Sequence, residues 1–279
     1  MKIAVLSGKG GTGKTFVSVN LAAAVPSSTY IDCDVEEPNG RLFFRPENIQ
    51  TDTISVLVPV FDASLCDGCR KCVDFCKFNA LVYIKEKPLV FPGVCHSCGG
   101  CLLVCPNGAV SEAKRFIGVV ETGTSESAAV VTGVLEPGEV SGVPLIRAAL
   151  AKTSPSEGRV VIDCPPGSGC AVLESVSESD YCVLVAEPTA FGLHNFAMVL
   201  ELVRLLGKPC GVVINKTEGP YRELEQYCAA HHVNILCRIP CSTELAALGA
   251  KALIAARENE EMAAMFRRLS DKIEKEVRR

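Results

Sequence analysis

The chain has 279 residues, 48% hydrophobic and 22% charged, with 28 Lys and Arg against 32 Asp and Glu for a formal net charge of −4. This composition excludes a disordered polyelectrolyte and lacks the basic excess of a nucleic-acid binder, while the absence of Trp and an aromatic content of only 6% leave little from which to build base-stacking platforms. No run reaches the ~18 apolar residues of a membrane-spanning helix, so a cytoplasmic location is expected, where sixteen cysteines point to metal ligands or core residues rather than disulfides.

In chain order, Lys2–Leu6 is an apolar run of strand length, followed by Gly8-Lys9-Gly10-Gly11-Thr12-Gly13-Lys14-Thr15. The octet satisfies G-x-x-x-x-G-K-[ST] between a strand and a helix predicted over Thr15–Val25, the context that gives the motif its meaning. Glycines let backbone N–H groups close around phosphate oxygens, and the helix that follows points its positive end at the same place. Lys14 is expected to reach the β- and γ-phosphates of ATP, and the Thr15 hydroxyl to ligate Mg²⁺. A second strand is predicted at Thr29–Asp32, ending in Asp32-Cys33-Asp34.

Ile54–Phe61 and Phe116–Glu121 read as strands entering and leaving an insert. Between them Cys66, Cys69, Cys72 and Cys76 recur 29 residues later as Cys95, Cys98, Cys101 and Cys105. C-x₂-C-x₂-C-x₃-C is the bacterial two-cluster run, in which the fourth cysteine ligates the other cluster. Cys66, Cys69, Cys72 and Cys105 are therefore assigned to one [4Fe–4S] site, and Cys95, Cys98, Cys101 and Cys76 to a second. Zinc prefers two separated cysteine pairs, which this spacing does not supply. Pro106 follows Cys105 as the pattern asks, whereas Lys77 follows Cys76 and brings positive charge to that site. Two short strands, Leu81–Lys85 and Pro88–Phe91, are expected around a charged turn between the halves.

Beyond the insert, a strand is expected near Val130–Leu135. Further strands are predicted at Arg159–Asp163, Tyr181–Ala186, Cys210–Asn215 and Asn234–Ile239, and helices at Leu193–Leu206, Pro220–His231 and Thr243–Ala256. Glu258–Arg279 reads as a charged, solvated packing helix. Strands alternating with helices define an α/β fold, a parallel sheet with helices on both faces. The insert is expected to be an α+β bacterial-ferredoxin domain over 61–115, dividing the nucleotide domain into 1–60 and 116–279.

Lys9-Gly10-Gly11-Thr12-Gly13-Lys14-Thr15, Asp32-Cys33-Asp34, Asp163-Cys164-Pro165-Pro166-Gly167 and Ile214-Asn215-Lys216 occur in one order along the chain. Together they resemble the MinD/ParA/nitrogenase-iron-protein superfamily, whose P-loop carries an extra early lysine; with the cysteine run between them, the chain is similar to its members that contain an inserted two-cluster ferredoxin. Glu187-Pro188-Thr189-Ala190-Phe191-Gly192-Leu193-His194 adds to that likeness. The resemblance implies a homodimer that closes on ATP, with Lys9 reaching the partner's nucleotide in trans. It implies that Asp34 positions the attacking water, that Asp32 supports Mg²⁺, that Asp163 holds the magnesium water shell, and that Asn215 hydrogen-bonds adenine.

Cys170 stands seven residues after Asp163, where the nitrogenase iron protein holds a bridging cluster. Either Cys164 supplies the missing second ligand or no such cluster exists. Cys237 and Cys241 do not form the C-x-x-C of cluster carriers and are expected to pack, and Cys33, Cys182, Cys210 and Cys228 to lie in the core.

The leading functional expectation is an iron–sulfur ATPase, slow without a partner, coupling ATP turnover to electron transfer toward an unidentified redox partner. One alternative is an ATP-dependent assembly or carrier protein that delivers iron–sulfur units to a client. The other is a MinD/ParA-type positioning ATPase with a redox-sensing insert.

Overall fold

The computed structural model describes residues 1–85, 87–153 and 158–278. Glu86, at the predicted charged turn, and Arg279, at the end of the predicted last helix, lie outside the described residues. The first half runs β1 (Lys2–Leu6), α1 (Lys14–Ala23), β2 (Thr29–Asp32), α2 (Gly40–Phe44), β3 (Glu47–Phe61), α3 (Lys71–Phe75), β4 (Leu81–Ile84), β5 (Lys87–Val90), α4 (Gly100–Leu103), β6 (Val110–Ser125) and β7 (Ala128–Leu135). The second half runs α5 (Val143–Leu150), β8 (Val160–Asp163), α6 (Cys170–Val176), β9 (Tyr181–Ala186), α7 (Ala190–Leu205), β10 (Cys210–Thr217), α8 (Arg222–Ala230), β11 (Asn234–Pro240), α9 (Thr243–Ala250), α10 (Ala255–Glu258) and α11 (Glu260–Val277).

The main sheet has the order β11-β10-β9-β1-β8-β2-β7-β6-β3. From β11 to β7 every pairing is parallel. The sheet is not parallel throughout, because β6 pairs antiparallel with β7 and β3 antiparallel with β6. The reason is connectivity: β6 turns directly into β7, and such a short link can join only antiparallel neighbours.

Side chains alternate between the two faces of the central strands. Ala4, Leu6, Ile31, Ile162, Cys182 and Leu184 pack beneath α5, α6 and α7. Ile3, Val5, Tyr30, Val161, Tyr181 and Val183 pack against α1 and α11. The helix expected to be a solvated packing element is amphipathic: Met262, Phe266, Leu269 and Ile273 of α11 are buried at helical spacing, beginning from an Asn259 cap whose Oδ1 accepts from the Glu261 N–H at 2.8 Å. The helix predicted over Thr243–Ala256 is two helices, interrupted where Ala252 adopts φ +50° and Ile254 turns into the core.

β3 and β6 are much longer than expected and form an antiparallel ribbon that leads from the sheet to the cysteine-rich lobe, its last pair being Phe61 opposite Val110. The 29-residue sequence repeat recurs in the backbone. Positive φ angles occur at Gly68 and Ser97, at Arg70 and Gly99, and at Asn79 and Gly108, each pair 29 residues apart. Short helices α3 and α4 start at equivalent positions, Lys71 and Gly100.

Candidate functional site

The C-terminal ends of β1, β2, β8, β9 and β10 point toward one edge of the sheet, where α/β folds gather ligands. The loop after β1 runs into α1 through Gly13, whose φ of +89° only glycine adopts readily. A Cβ there would stand 2.1 Å from Asn215 Nδ2. That same amide donates to the Thr12 carbonyl at 2.8 Å and fastens the loop from β10. Thr12 Oγ1 is buried and has no hydrogen-bond partner among the described residues, an orphaned polar group in the cradle predicted to take phosphate.

Lys14, 6% exposed, lies under this loop. Its ammonium donates to Asp163 Oδ1 at 2.7 Å and stands 3.6 Å from Asp34 Oδ2. Burial by itself would lower the lysine's pKa, but the charge and hydrogen bond of Asp163, with the charges of Asp34 and Asp32, raise it. Asp163 also accepts from Ser18 Oγ at 3.1 Å and from the Tyr30 hydroxyl at 3.0 Å. Asp32 is fully buried and faces the other way, its Oδ2 accepting from the Gly40 N–H at 2.8 Å and its Oδ1 from the Asp34 N–H at 3.2 Å. Burial and the neighbouring Asp163 push Asp32 up to about 8. Burial also raises Asp34, against the pull of Lys14.

Three carboxylates thus share one buried ammonium, a surplus of negative charge that a divalent cation would offset. Of the residues expected to hold Mg²⁺, Asp163 lies at this centre and Thr15 is half-buried in the first turn of α1, whereas both oxygens of Asp32 are taken by backbone N–H groups. The structure brings Lys14, Asp32, Asp34 and Asp163 together, while Asn215 holds the loop through Thr12.

Lys9 pairs within its own chain: its Nζ is 2.7 Å from Glu187 Oε2, and Lys216 Nζ is 2.6 Å from Oε1 of the same glutamate. Lys216 also donates to the Gly11 carbonyl at 2.7 Å. Burial alone would raise Glu187, yet the two lysines outweigh it and hold the carboxyl below its usual range. Glu187, Lys216, Ser18 and Tyr30 carried no assigned role in the sequence. Glu187 offered one signal, a charged residue directly at the end of a central strand. Gly8 permits the close approach of α7, since a Cβ there would stand 2.3 Å from the Asn195 carbonyl oxygen.

Beside Asn215 lies a mainly apolar cleft of about 250 Å³ lined by Phe16 and Pro240. Cys241 is exposed and lines it, rather than packing as expected; Cys237 is half-buried. Cys33, Cys182 and Cys228 are buried in the core. Cys164 is also fully buried, whereas Cys170 is exposed at the start of α6, so the two do not form a surface pair in this chain.

In the cysteine-rich lobe, Cys66, Cys69, Cys72 and Cys105 line one cavity, and Cys76, Cys95, Cys98 and Cys101 line another. These are the two sets drawn from spacing. The first cavity is tight, about 20 Å³, and the second roomier, about 270 Å³. Among the described residues no group of His, Cys, Asp or Glu converges as a site for a single metal ion. Cys95 Sγ accepts from the Ser97 N–H at 3.4 Å and Cys105 Sγ from the Ala109 N–H at 3.3 Å, contacts of the kind that tune cluster potentials. Lys77 lines the second cavity. The four-thiol donor sets and the repeated backbone turns fit a pair of iron–sulfur clusters by chemistry.

A family model described as the CobQ/CobB/MinD/ParA nucleotide binding domain matches residues 3–254. An uncharacterized protein of Methanocaldococcus jannaschii, MJ0578, is 28% identical over 222 residues, covering 77% of this chain and 78% of that protein. Among solved structures, the Pyrococcus furiosus cell division ATPase MinD superposes with a TM-score of 0.61 at 18% identity, covering 98% of each chain. The septum site-determining protein MinD of Pyrococcus horikoshii, complexed with Mg-ADP, does so with a TM-score of 0.59 at 17% identity, covering 98% of this chain and 95% of that one. No helix among the described residues is long and apolar enough to cross a membrane.

Proposed function

The chain belongs to the CobQ/CobB/MinD/ParA nucleotide-binding family, and from that premise we propose that it binds Mg-ATP and hydrolyses it as a switch, carrying an inserted two-cluster ferredoxin domain over residues 61–115. The observation that carries the ATPase reading is the buried Lys14 held between Asp163 and Asp34 at the mouth of the P-loop. In this reading Lys14 leaves Asp163 for the β- and γ-phosphates, and Asp34 orients the attacking water. Mg²⁺, held by Thr15 with Asp32 and Asp163 nearby, would neutralise phosphate charge. Lys9 leaves Glu187 to reach the nucleotide of a second subunit in an ATP-dependent homodimer. Asn215 gives up Thr12 for the adenine. Substituting Lys9 with Ala tests the arrangement: nucleotide binding should persist while hydrolysis stops, and normal turnover would overturn the trans assignment.

The named structural relatives favour the positioning alternative over electron transfer, which was the leading expectation from the sequence. The cell division and septum-site roles of the Pyrococcus proteins make a MinD/ParA-type positioning ATPase, with its insert as redox sensor, the first reading. Clusters held by the two cysteine sets would supply one-electron chemistry. Co-sedimentation of the ATP-loaded protein with liposomes or DNA tests positioning, and no association with either in any redox state would sink it. Electron transfer to an unidentified redox partner remains a second reading because eight cysteines form two complete four-thiol sets. It requires reoxidation of the reduced protein to depend on ATP. Iron and sulfide analysis of anaerobically purified protein tests the insert itself, and zinc in place of iron would remove both redox readings.

A further inference from the structure

Tyr30 lies in β2, fully buried, where an aliphatic side chain would serve the core as well. Its ring packs on Phe44 of α2. The hydroxyl at its tip donates to Asp163 Oδ2 at 3.0 Å. Burying the polar tip of a phenol is unfavourable unless it is paired, so the bond to Asp163, rather than packing, accounts for a tyrosine here.

The neighbouring backbone leaves room for it. Gly40, the first residue of α2, donates its N–H to Asp32 Oδ2 at 2.8 Å. Its φ is not positive, so conformation does not demand a glycine. Space does, because a Cβ at Gly40 would stand 2.1 Å from Tyr30 Oη. The turn from Asp32 to Gly40, which carries Asp34, therefore closes directly against the phenol.

The two oxygens of Asp163 are held differently. Oδ1 accepts from Lys14 at 2.7 Å and from Ser18 Oγ at 3.1 Å. Ser18 has a single hydroxyl proton and a nearer acceptor in the Lys14 carbonyl, at 2.9 Å. Oδ2 is held by Tyr30. In the Mg-ATP reading, on which this inference rests, Lys14 leaves Asp163 for the phosphates and Oδ1 loses its cation. The Tyr30 bond involves no part of the phosphate loop and survives that exchange.

We propose that Tyr30 is a positioning residue for the Mg-nucleotide site, its hydroxyl holding the Asp163 carboxylate through Oδ2 when Lys14 departs, so that Oδ1 is presented to the metal's water shell. A carboxylate with one oxygen pinned keeps its orientation, whereas a free one must be ordered at each binding event. The contribution is specific to the metal. Nucleotide without Mg²⁺ gains nothing from it, since its phosphates are taken by the loop amides and Lys14.

Isothermal titration of the full chain, purified anaerobically, with ADP in excess Mg²⁺ and again in EDTA tests the assignment. The wild-type chain should bind ADP more tightly with Mg²⁺; equal affinities would overturn the Mg-nucleotide reading and the role of Tyr30 with it. Tyr30→Phe keeps the ring on Phe44 and removes only the hydroxyl. Its ADP affinity in EDTA should match the wild type, while its affinity with Mg²⁺ should fall about 10-fold, the low end of the range for losing a group that steadies a metal ligand. Ser18→Ala leaves Oδ2 on Tyr30 and should lose less. An equal fall with and without Mg²⁺ would mark a loosened fold and overturn the positioning role, as would a Mg²⁺ effect unchanged from the wild type. A loss in Ser18→Ala as large as in Tyr30→Phe would overturn the assignment of the hold to Oδ2.

Discussion

The nucleotide centre and the cysteine-rich lobe are built in opposite ways. Lys14, Tyr30, Asp32, Asp163 and Asn215 come from α1, β2, β8 and β10, far apart in the chain, and all are buried. The eight cysteines lie between Cys66 and Cys105, and two of them, Cys69 and Cys98, are exposed. The first site exists only because the sheet aligns its strand ends. The second needs only local turns, repeated once, and a ribbon to carry them. Damage to the first should therefore propagate into the fold, and damage to the second should stay where it is made.

The largest effect is expected from Lys14→Ala. It removes the ammonium that contacts both Asp163 and Asp34. Mg-ATP binding should vanish in a calorimetric titration, and urea unfolding should show a loss of about 3–5 kcal/mol, the usual consequence of stranding a buried charge. Iron content should be unchanged; a parallel fall in iron would break the contrast between the regions. Cys72→Ser is the converse experiment. It should remove about half the bound iron, because one of two ligand sets is incomplete, and leave Mg-ATP binding in place.

Gly13→Ala sharpens the comparison at the level of backbone. The substitution places a Cβ 2.1 Å from Asn215 Nδ2 at φ +89°. It should cost about 1–3 kcal/mol in urea unfolding and weaken ADP binding. Gly10→Ala, with open space around it, should stay within about 0.5 kcal/mol. A smaller effect is expected from Glu187→Gln, which frees Lys9 and Lys216. The pairs are partly exposed, so each contributes roughly 0.2–1 kcal/mol, and ATP turnover should rise by no more than about fivefold. A fall in turnover would show that Glu187 serves hydrolysis directly.

The same division explains what could be read in advance. The P-loop and the cysteine run are local patterns, and β1, β2 and β9 kept their predicted bounds because they are continuously apolar and buried on both faces. β3 was legible only in its second half. Its first residues, Glu47–Thr53, are exposed and, Ile49 apart, polar, and are strand because β6 pairs with them. The Lys9–Glu187–Lys216 cluster joins two loops and the end of β10, and no local pattern announces a contact of that kind. Tyr30 reads as one more apolar strand residue, yet its hydroxyl meets Asp163 and its ring packs on Phe44, centroids 4.9 Å apart.

A pH series tests the charge surplus itself. Asp32 rises from 3.8 to about 8 on folding, first because it is buried and then because Asp163 repels its charge. The folded chain therefore holds a proton that the unfolded chain releases. Stability from this group is complete below about pH 4 and is lost as pH rises toward 8. In protein free of nucleotide and divalent ions, Asp32→Asn should flatten that slope, since the amide carries no charge and keeps an oxygen for the Gly40 N–H, at the cost of the longer contact from the Asp34 N–H. Melting followed by circular dichroism should show a gain in stability for the variant that is larger at pH 8 than at pH 5. An unchanged slope would mean that the shared proton belongs to another carboxyl of the cluster, with Asp32 ionised and steadied by Gly40 and Lys14 throughout.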